Sequence, residues 1–218
     1  MNISLLRKVI SEAIGTAFLV MIVIGSGIMG QNLSTDTLSI LLANTLATGV
    51  GLTTLIWVFI AISGAHFNPA VTVVMLLRRE MTALDALAYI AAQFLGAMLG
   101  VLMVHAMFDL ALLQSSSNFR GGVNLYLSEG IATFGLLMTI LSVRRLSLLA
   151  VAPAVGLYIS AGYWFTASTS FANPAVTVAR GFTDSFTGID PGFILPFIGA
   201  QLIAALFAML LMRFLLDD

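Results

Sequence analysis

Six long apolar stretches dominate the chain, at residues 9–29, 38–62, 84–108, 123–143, 146–165 and 193–215. Each is close to the roughly 20 residues a helix needs to cross a bilayer, so six membrane-spanning helices are predicted. Two much shorter apolar runs, 70–77 and 175–179, follow the second and fifth stretches. Both are introduced by the same sequence, Asn68-Pro69-Ala70 and Asn173-Pro174-Ala175 each continuing Val-Thr-Val, and both stop at arginine. Asn is a favoured helix N-cap, and Pro at the first helical position sacrifices no hydrogen bond. Neither run is long enough to span, so each predicts a half-helix whose positive N-terminal end starts inside the protein. Short polar connections separate these elements. The longest, 115–122, sits at the midpoint of one domain, 1–218, and joins halves of about 1–114 and 123–218.

Composition agrees with the pattern and narrows the function. With 60% hydrophobic residues, 9% charged residues and a mean hydropathy of +1.06 over 218 residues, the chain reads as an integral membrane protein with lipid as its surroundings. A net charge of -1 without a basic stripe gives no reason to expect nucleic acid as a partner. The chain has no cysteine, which rules out disulfides and Cys-based metal sites. No nucleophile and base stand at a recognisable spacing, so no catalytic residues, cofactor or metal are expected. The first apolar run contains Glu12 and lacks a small-residue cleavage site, so it is expected to be a spanning helix and not a removed signal peptide. Arg7, Lys8, Arg78, Arg79, Arg144, Arg145 and Arg213 fall on one side of the predicted topology, and only Arg120 and Arg180 on the other. The excess of positive charge puts both termini in the cytoplasm. The brief termini suggest a bacterial inner membrane.

The two halves repeat. Ser11-Glu12-Ala13-Ile14 matches Ser128-Glu129-Gly130-Ile131, and Ala92-Gln93-Phe94-Leu95 matches Ala200-Gln201-Leu202-Ile203, in the same order as the Asn-Pro-Ala copies. Each half holds three spans, an odd number, so the second half enters from the opposite side as an inverted repeat. The half-helices should then meet near the membrane midplane. Asn68 and Asn173 would cap them with their side-chain NH2 groups free to donate. The stretches leading in, 64–67 and 168–172, should be irregular. Such backbone is tolerated at membrane depth only where it is buried or lines a polar cavity. Gly64, Ala65, His66, Thr169 and Phe171 thus become candidate pore-lining positions. A path of this kind offers hydrogen bonds to neutral polar solutes and a positive barrier to cations.

These features together resemble the aquaporin, or major intrinsic protein, family over the whole chain. The two Asn-Pro-Ala boxes, Glu12 with Glu129, and Gln93 with Gln201 carry the resemblance. It implies an all-α membrane fold of six helices and two re-entrant half-helices around one pore, a homotetramer of such pores, and passive transport of small neutral solutes. It also implies a selectivity filter at Thr48, Ala161, Ser170 and Val176, with Gly162 replacing Ala161 if a one-residue gap intervenes. The family's first filter position is usually a large aromatic and its last usually Arg. Thr48 and Val176 are smaller and uncharged, which predicts a wide, neutral filter. Wide members of the family look like conduits for water, glycerol and uncharged metalloid hydroxides such as arsenous acid.

Other residues admit two readings. Glu12 and Glu129 either brace the re-entrant loops or relay protons, and the second role would belong to a proton- or ion-coupled secondary transporter. Their equivalence across the repeat favours bracing. His66 is either pore-lining or a structural hydrogen-bonding group, whereas His105 reads as a packed histidine. Tyr163 and Trp164 are expected in an interfacial aromatic belt. Arg180 stands one turn beyond Val176. It either faces an outer vestibule or ends the half-helix against lipid headgroups or Asp184. Gly96 and Gly100 would permit close helix packing, inside the chain or between copies.

Overall fold

The computed structural model describes residues 3–216, and within them every regular element is helical. The order is α1 (Leu5–Leu33), α2 (Thr37–Ser63), α3 (Pro69–Leu77), α4 (Ala83–Met107), α5 (Val123–Leu146), α6 (Val151–Phe165), α7 (Pro174–Arg180) and α8 (Ile194–Leu216). A 3-10 turn, Pro191–Phe193, leads into α8. Helices suit this chain because each satisfies its own backbone where no water is present. Their ends follow local chemistry. Asp36 caps α2 by accepting from the Ser39 N–H at 2.9 Å, and Thr82 caps α4 by accepting from that of Asp85 at 3.1 Å. Gly64, in a left-handed conformation at φ 88°, stops α2.

Among the described residues, five helices are long and apolar enough to cross a membrane. The fifth predicted span is the exception. Its helix, α6, has 15 residues, which at the α-helical rise is about 22 Å. Leu146 belongs instead to α5, and the chain turns between the two helices through hydrogen bonds from Ala150 to Ser147 and from Val151 to Leu148. Hydropathy alone ran through this turn because Leu148, Leu149 and Ala150 are apolar.

The packing repeats about a pseudo-twofold axis. Helix α1 lies against α2 and α4, and α5 lies in the same way against α6 and α8. Half-helix α3 touches α8 of the other half, and α7 touches α4 of the first half. The halves therefore interlock, with α2 against α6 closing the seam. Glycines set the closest approaches. A Cβ on Gly96 would lie 2.2 Å from the Ala13 carbonyl oxygen, and one on Gly100 would lie 2.5 Å from that of Ala17. These two small residues therefore serve α1–α4 contact inside the chain. At the seam, a Cβ on Gly156 would lie 2.5 Å from the Gly49 carbonyl oxygen, and one on Gly49 would lie 3.2 Å from that of Gly156.

The midpoint loop does more than connect. Gln114 and Ser116 donate backbone N–H groups to Phe182 and Gly181, and Asp190 donates back to Asn118. This ties it to the loop after α7.

Gly96→Leu should drive α4 off α1. Overpacking of this kind costs about 1–3 kcal/mol or more. Gly199→Ala, where an added Cβ meets nothing within 4 Å, should leave stability unchanged. Thermal melting in detergent measures both. A Gly96→Leu protein that melts like the wild type would show that this contact does not hold the halves in shape.

Candidate functional site: a pore between two half-helices

The site begins with the two asparagines. Asn68 Oδ1 accepts from the Ala70 N–H at 2.9 Å, and Asn173 Oδ1 accepts from those of Ala175 and Val176 at 3.0 and 3.3 Å. Both are therefore N-caps. Their amide nitrogens then cross between the halves. Asn68 Nδ2 donates to the Ala172 carbonyl at 2.7 Å, and Asn173 Nδ2 donates to that of Phe67 at 2.8 Å. This corrects the expectation of free NH2 groups. One hydrogen of each amide is committed to the opposite loop, and an amide nitrogen carries two.

The loops leading into the caps are strained. Ala65, Phe67, Thr169, Ser170 and Ala172 all have φ between 48° and 64°. Left-handed non-glycine residues cost of order 1–3 kcal/mol each and persist where their surroundings hold them. Two buried carboxylates provide the hold. Glu12 accepts from Ser63 Oγ at 2.7 Å, from the N–H groups of His66 and Phe67 at 3.0 and 2.7 Å, and from Gln93 Nε2 at 2.9 Å. Glu129 accepts from the N–H groups of Phe171 and Ala172 at 2.8 and 2.9 Å, and from Gln201 Nε2 at 2.7 Å. Each glutamine also donates to a half-helix threonine at 2.9 Å, Gln93 to Thr72 and Gln201 to Thr177. All four side chains, Glu12, Glu129, Gln93 and Gln201, are fully buried.

A cavity of about 350 Å³ runs past this crossing. At one mouth it is lined by Lys8, Glu80, Asp85 and Arg144. Glu80 accepts from both Arg144 and Arg78, and the Arg144 hydrogen bond holds its carboxyl below the usual carboxylate range. At the waist lie Asn68, Asn173 and the loop residues Gly64, Ala65, His66 and Ala172. His66 Nδ1 is 3.1 Å from Thr72 Oγ1, so this side chain both borders the cavity and is hydrogen-bonded. Val71 and Val176 occupy equivalent places on α3 and α7 and both line the cavity, whereas Pro69, Ala70, Pro174 and Ala175 are buried behind it. The other mouth is lined by Thr48, Tyr163, Ser170, Phe171, Val176 and Arg180.

Several sequence expectations change here. Ala161 is exposed and lies outside the cavity lining. One residue on, Gly162 abuts Ser170: a Cβ there would lie 2.8 Å from the serine Cβ and 2.7 Å from its Oγ. The helical register of α6 turns Ala161 outward and Gly162 inward. Thr169 does not reach the cavity either, although it belongs to the strained loop. Tyr163 leaves the aromatic belt: it is buried, lines the cavity, and its hydroxyl is 3.2 Å from Thr48 Oγ1. Trp164, by contrast, is exposed. His105 is fully buried away from the cavity, with Nδ1 at 3.0 Å from the Leu112 carbonyl oxygen and Nε2 at 2.9 Å from Thr183 Oγ1.

Arg180 is buried and does not pair with Asp184, whose carboxylate accepts from Ser117. The Arg180 guanidinium carbon lies over the Phe171 ring, 3.3 Å from its centroid, and its Nε donates to the Thr187 carbonyl. Arg120 was not singled out from the sequence. It approaches the same ring at 5.1 Å and donates to the carbonyls of Gly188, Ser168 and Phe186. Its one available signal was being the lone basic residue in the midpoint loop. Among the described residues no three His, Cys, Asp or Glu side chains gather into a metal site.

Glu12→Gln and Glu129→Gln each replace an acceptor with a group that must turn an NH2 toward existing donors. Each unsatisfied buried donor costs about 1–3 kcal/mol, so both variants should melt earlier or yield less folded protein. Unchanged melting and yield in both would remove the carboxylates from the account of the loops.

The major intrinsic protein family model matches residues 1–147. The chain is 50% identical over 213 residues to aquaglyceroporin AqpS of Rhizobium meliloti (strain 1021), covering 98% of this chain and 91% of that protein. It is 30% identical over 227 residues to aquaporin-1 of Rattus norvegicus, covering 94% and 82%. Among solved structures, the aquaglyceroporin from Plasmodium falciparum matches with a TM-score of 0.72 at 25% identity, over 96% of both chains. Interlocked half-helices, crossing asparagines and paired carboxylate braces therefore sit in a chain that belongs to the major intrinsic protein family.

Proposed function

We propose that this protein is a passive transmembrane channel for water, glycerol and other small uncharged solutes. The observation that carries the reading is a cavity lined by Lys8, Glu80 and Arg144 at one mouth and Arg180 at the other, past a waist of amides, carbonyls, apolar side chains and the His66 imidazole. Such a waist exchanges a neutral solute's water hydrogen bonds for those of the pore. The relatives named aquaglyceroporin support the same solute class. A coupled transporter is less well supported, because Glu12 and Glu129 lie outside the cavity lining and their oxygens are occupied by loop donors. We read them as braces.

The filter in this reading is Thr48, Gly162, Ser170 and Val176, with Tyr163 beside them. It is wide and uncharged, which extends the solute range toward metalloid hydroxides such as arsenous acid. The mouth bearing Glu80, Arg144 and Lys8 is assigned to the cytoplasm, with both termini on that side of a bacterial inner membrane, on the distribution of basic residues. A homotetramer follows from the family resemblance, and the exposed apolar belt that includes Trp57, Leu99 and Phe207 would meet lipid or neighbouring copies.

Stopped-flow measurements on proteoliposomes with water, glycerol, urea and arsenite gradients test the reading. Val176→Arg puts a long cation one turn beyond Asn173 and should cut glycerol and arsenite flux while sparing water. Glycerol flux equal to wild type in that variant would mean that the filter lies elsewhere. The waist is tested separately. Asn173→Asp keeps a cap but places a negative charge between the half-helices, so cation leak in planar bilayers should rise. An Asn173→Asp channel as tight to cations as the wild type would remove the barrier from the waist.

A further inference from the structure

A ring that takes no part in lining the pore is tied to the mouth that does. His105 is fully buried in the last turn of α4, and it bonds to both of the loops that cover the mouth opposite Glu80. Its Nδ1 lies 3.0 Å from the Leu112 carbonyl oxygen of the segment after α4, and its Nε2 lies 2.9 Å from Thr183 Oγ1 of the loop after α7. From Thr183 the bonding continues. The Thr183 hydroxyl donates to Ser185 Oγ at 3.1 Å, and Ser185 Oγ lies 3.2 Å from Thr187 Oγ1. All three hydroxyl residues are buried. The backbone of the same segment holds the arginines. The Thr187 carbonyl accepts from Arg180 Nε, and those of Phe186 and Gly188 accept from Arg120. A ladder of hydroxyls thus runs from His105 to the residue that anchors Arg180.

The hydrogens along this ladder can be counted. A hydroxyl carries one and a carbonyl carries none. Thr183 gives its hydrogen to Ser185, so it can only accept from Nε2. Leu112 can only accept from Nδ1. Both ring nitrogens must then donate, which only the imidazolium does. A cation in the last turn of α4 also stands at the negative end of that helix. The neutral ring keeps one hydrogen. The Leu112 carbonyl holds it on Nδ1, and the bare Nε2 then draws the Thr183 hydrogen away from Ser185. Loss of the proton therefore removes the first hydroxyl-to-hydroxyl bond of the ladder. Ser185 also lines a surface hollow with Asp184 and Phe186, where the ladder can exchange protons with solvent.

The charged groups of the surrounding elements are Asp109 after α4, Arg120 in the midpoint loop, Arg180 on α7, and Asp184 and Asp190 in the loop after it. None of them bonds to the ring among the described residues. Hydrogen bonds from Ser117 hold the Asp184 carboxyl below the usual carboxylate range. On α1, which packs along α4, Arg7, Lys8 and Glu12 lie toward the other end.

We infer that His105 is a positioning residue for the outer mouth, and that gain or loss of its proton moves the hydroxyl ladder between a state that holds Arg180 to the cavity wall and one that releases it. His105 itself touches no solute. With the ladder broken at Ser185, the Thr187 end loosens, Arg180 leaves the wall, and the passage beside Val176 narrows for glycerol more than for water. The inference rests on the cavity being a transmembrane path, as the proposed function holds.

Water and glycerol fluxes into proteoliposomes, with the same pH on both sides, test it between about pH 5 and about pH 8, the range in which histidine changes charge. The glycerol-to-water ratio should fall by about fivefold as pH rises, the value of one neutral hydrogen bond. His105→Gln should abolish the pH dependence. Ser185→Ala should abolish it too with His105 in place, because Thr183 then has no bond to lose. Should His105→Gln fail to reconstitute, Ser185→Ala decides alone. A wild-type ratio that does not fall while glycerol passes would overturn the inference and leave the neutral channel intact. A fall that persists in Ser185→Ala would overturn it as well and assign the titration to His66, the other histidine. Glycerol excluded at both pH values would remove the neutral-solute reading. Ring-nitrogen NMR of histidine-labelled protein in lipid then decides: His105 should carry hydrogen on both nitrogens at low pH and on Nδ1 alone at high pH, and a ring that keeps one form throughout would overturn the inference.

Discussion

Everything in this molecule depends on two carboxylates meeting backbone N–H groups at membrane depth. A chain that stops being helical inside a bilayer exposes donors and acceptors that water cannot reach. Here the irregular stretches also sit in left-handed conformations that non-glycine residues resist. Glu12 and Glu129 convert that liability into a fixed shape, because the two oxygens of a carboxyl group can accept several hydrogen bonds at once. Once the N–H groups are turned outward toward the carboxylates, the loop carbonyls are free to turn elsewhere. Two of them, Phe67 and Ala172, receive the asparagine amides of the opposite half. The same brace therefore fixes both the loop and the docking of one half on the other.

Symmetry makes this economical. The residues the halves share include those that touch the crossing: glutamate, glutamine, threonine and asparagine, with equivalent hydrogen bonds in each half. The apolar residues between them diverge freely, since in lipid a leucine and a phenylalanine face equally apolar surroundings. Close approach at the α1–α4 and α2–α6 contacts then brings the polar groups within hydrogen-bond reach. Glycines and carboxylates act together here, because a loosened contact would pull the acceptors from the donors.

Much of this was legible in the sequence, and what was not has a definite cause. Spanning helices, half-helices, caps and the inverted repeat follow from apolar length, the Asn-Pro signal and duplicated motifs, all of which are local. The crossing of the asparagine amides was not legible, because it depends on how far apart the two loops finally sit. Ala161, reached by counting back from Asn173 on a fixed loop length between α6 and α7, lies outside the cavity, and the one-residue uncertainty in that count leaves Gly162 as the alternative. Tyr163 was assigned to the interface by its place near the outer end of the fifth span, but its face of α6 points inward toward Thr48. Arg180 could be placed roughly one turn beyond Val176 by helical geometry. That Phe171 would hold its guanidinium against the cavity wall required three dimensions.

The position of the arginine along the pore matters more than its presence. A guanidinium at the narrowest point both fills space and repels cations, so size and charge selection are bound to one residue. Moved one turn outward and laid against an aromatic ring, the same group no longer narrows the passage at Val176. Its field remains, because a wall of apolar side chains screens it poorly compared with bulk water. In the function proposed above, size selection falls to Thr48 and Val176, which line the cavity, and charge selection to Arg180 and the waist. On that reading, separating the two would let the filter widen without admitting cations, whose entry Arg180 and, at the midplane, the half-helix N-termini would still oppose. Pore width and cation exclusion, which a constriction arginine would lock together, can thus vary independently in this fold.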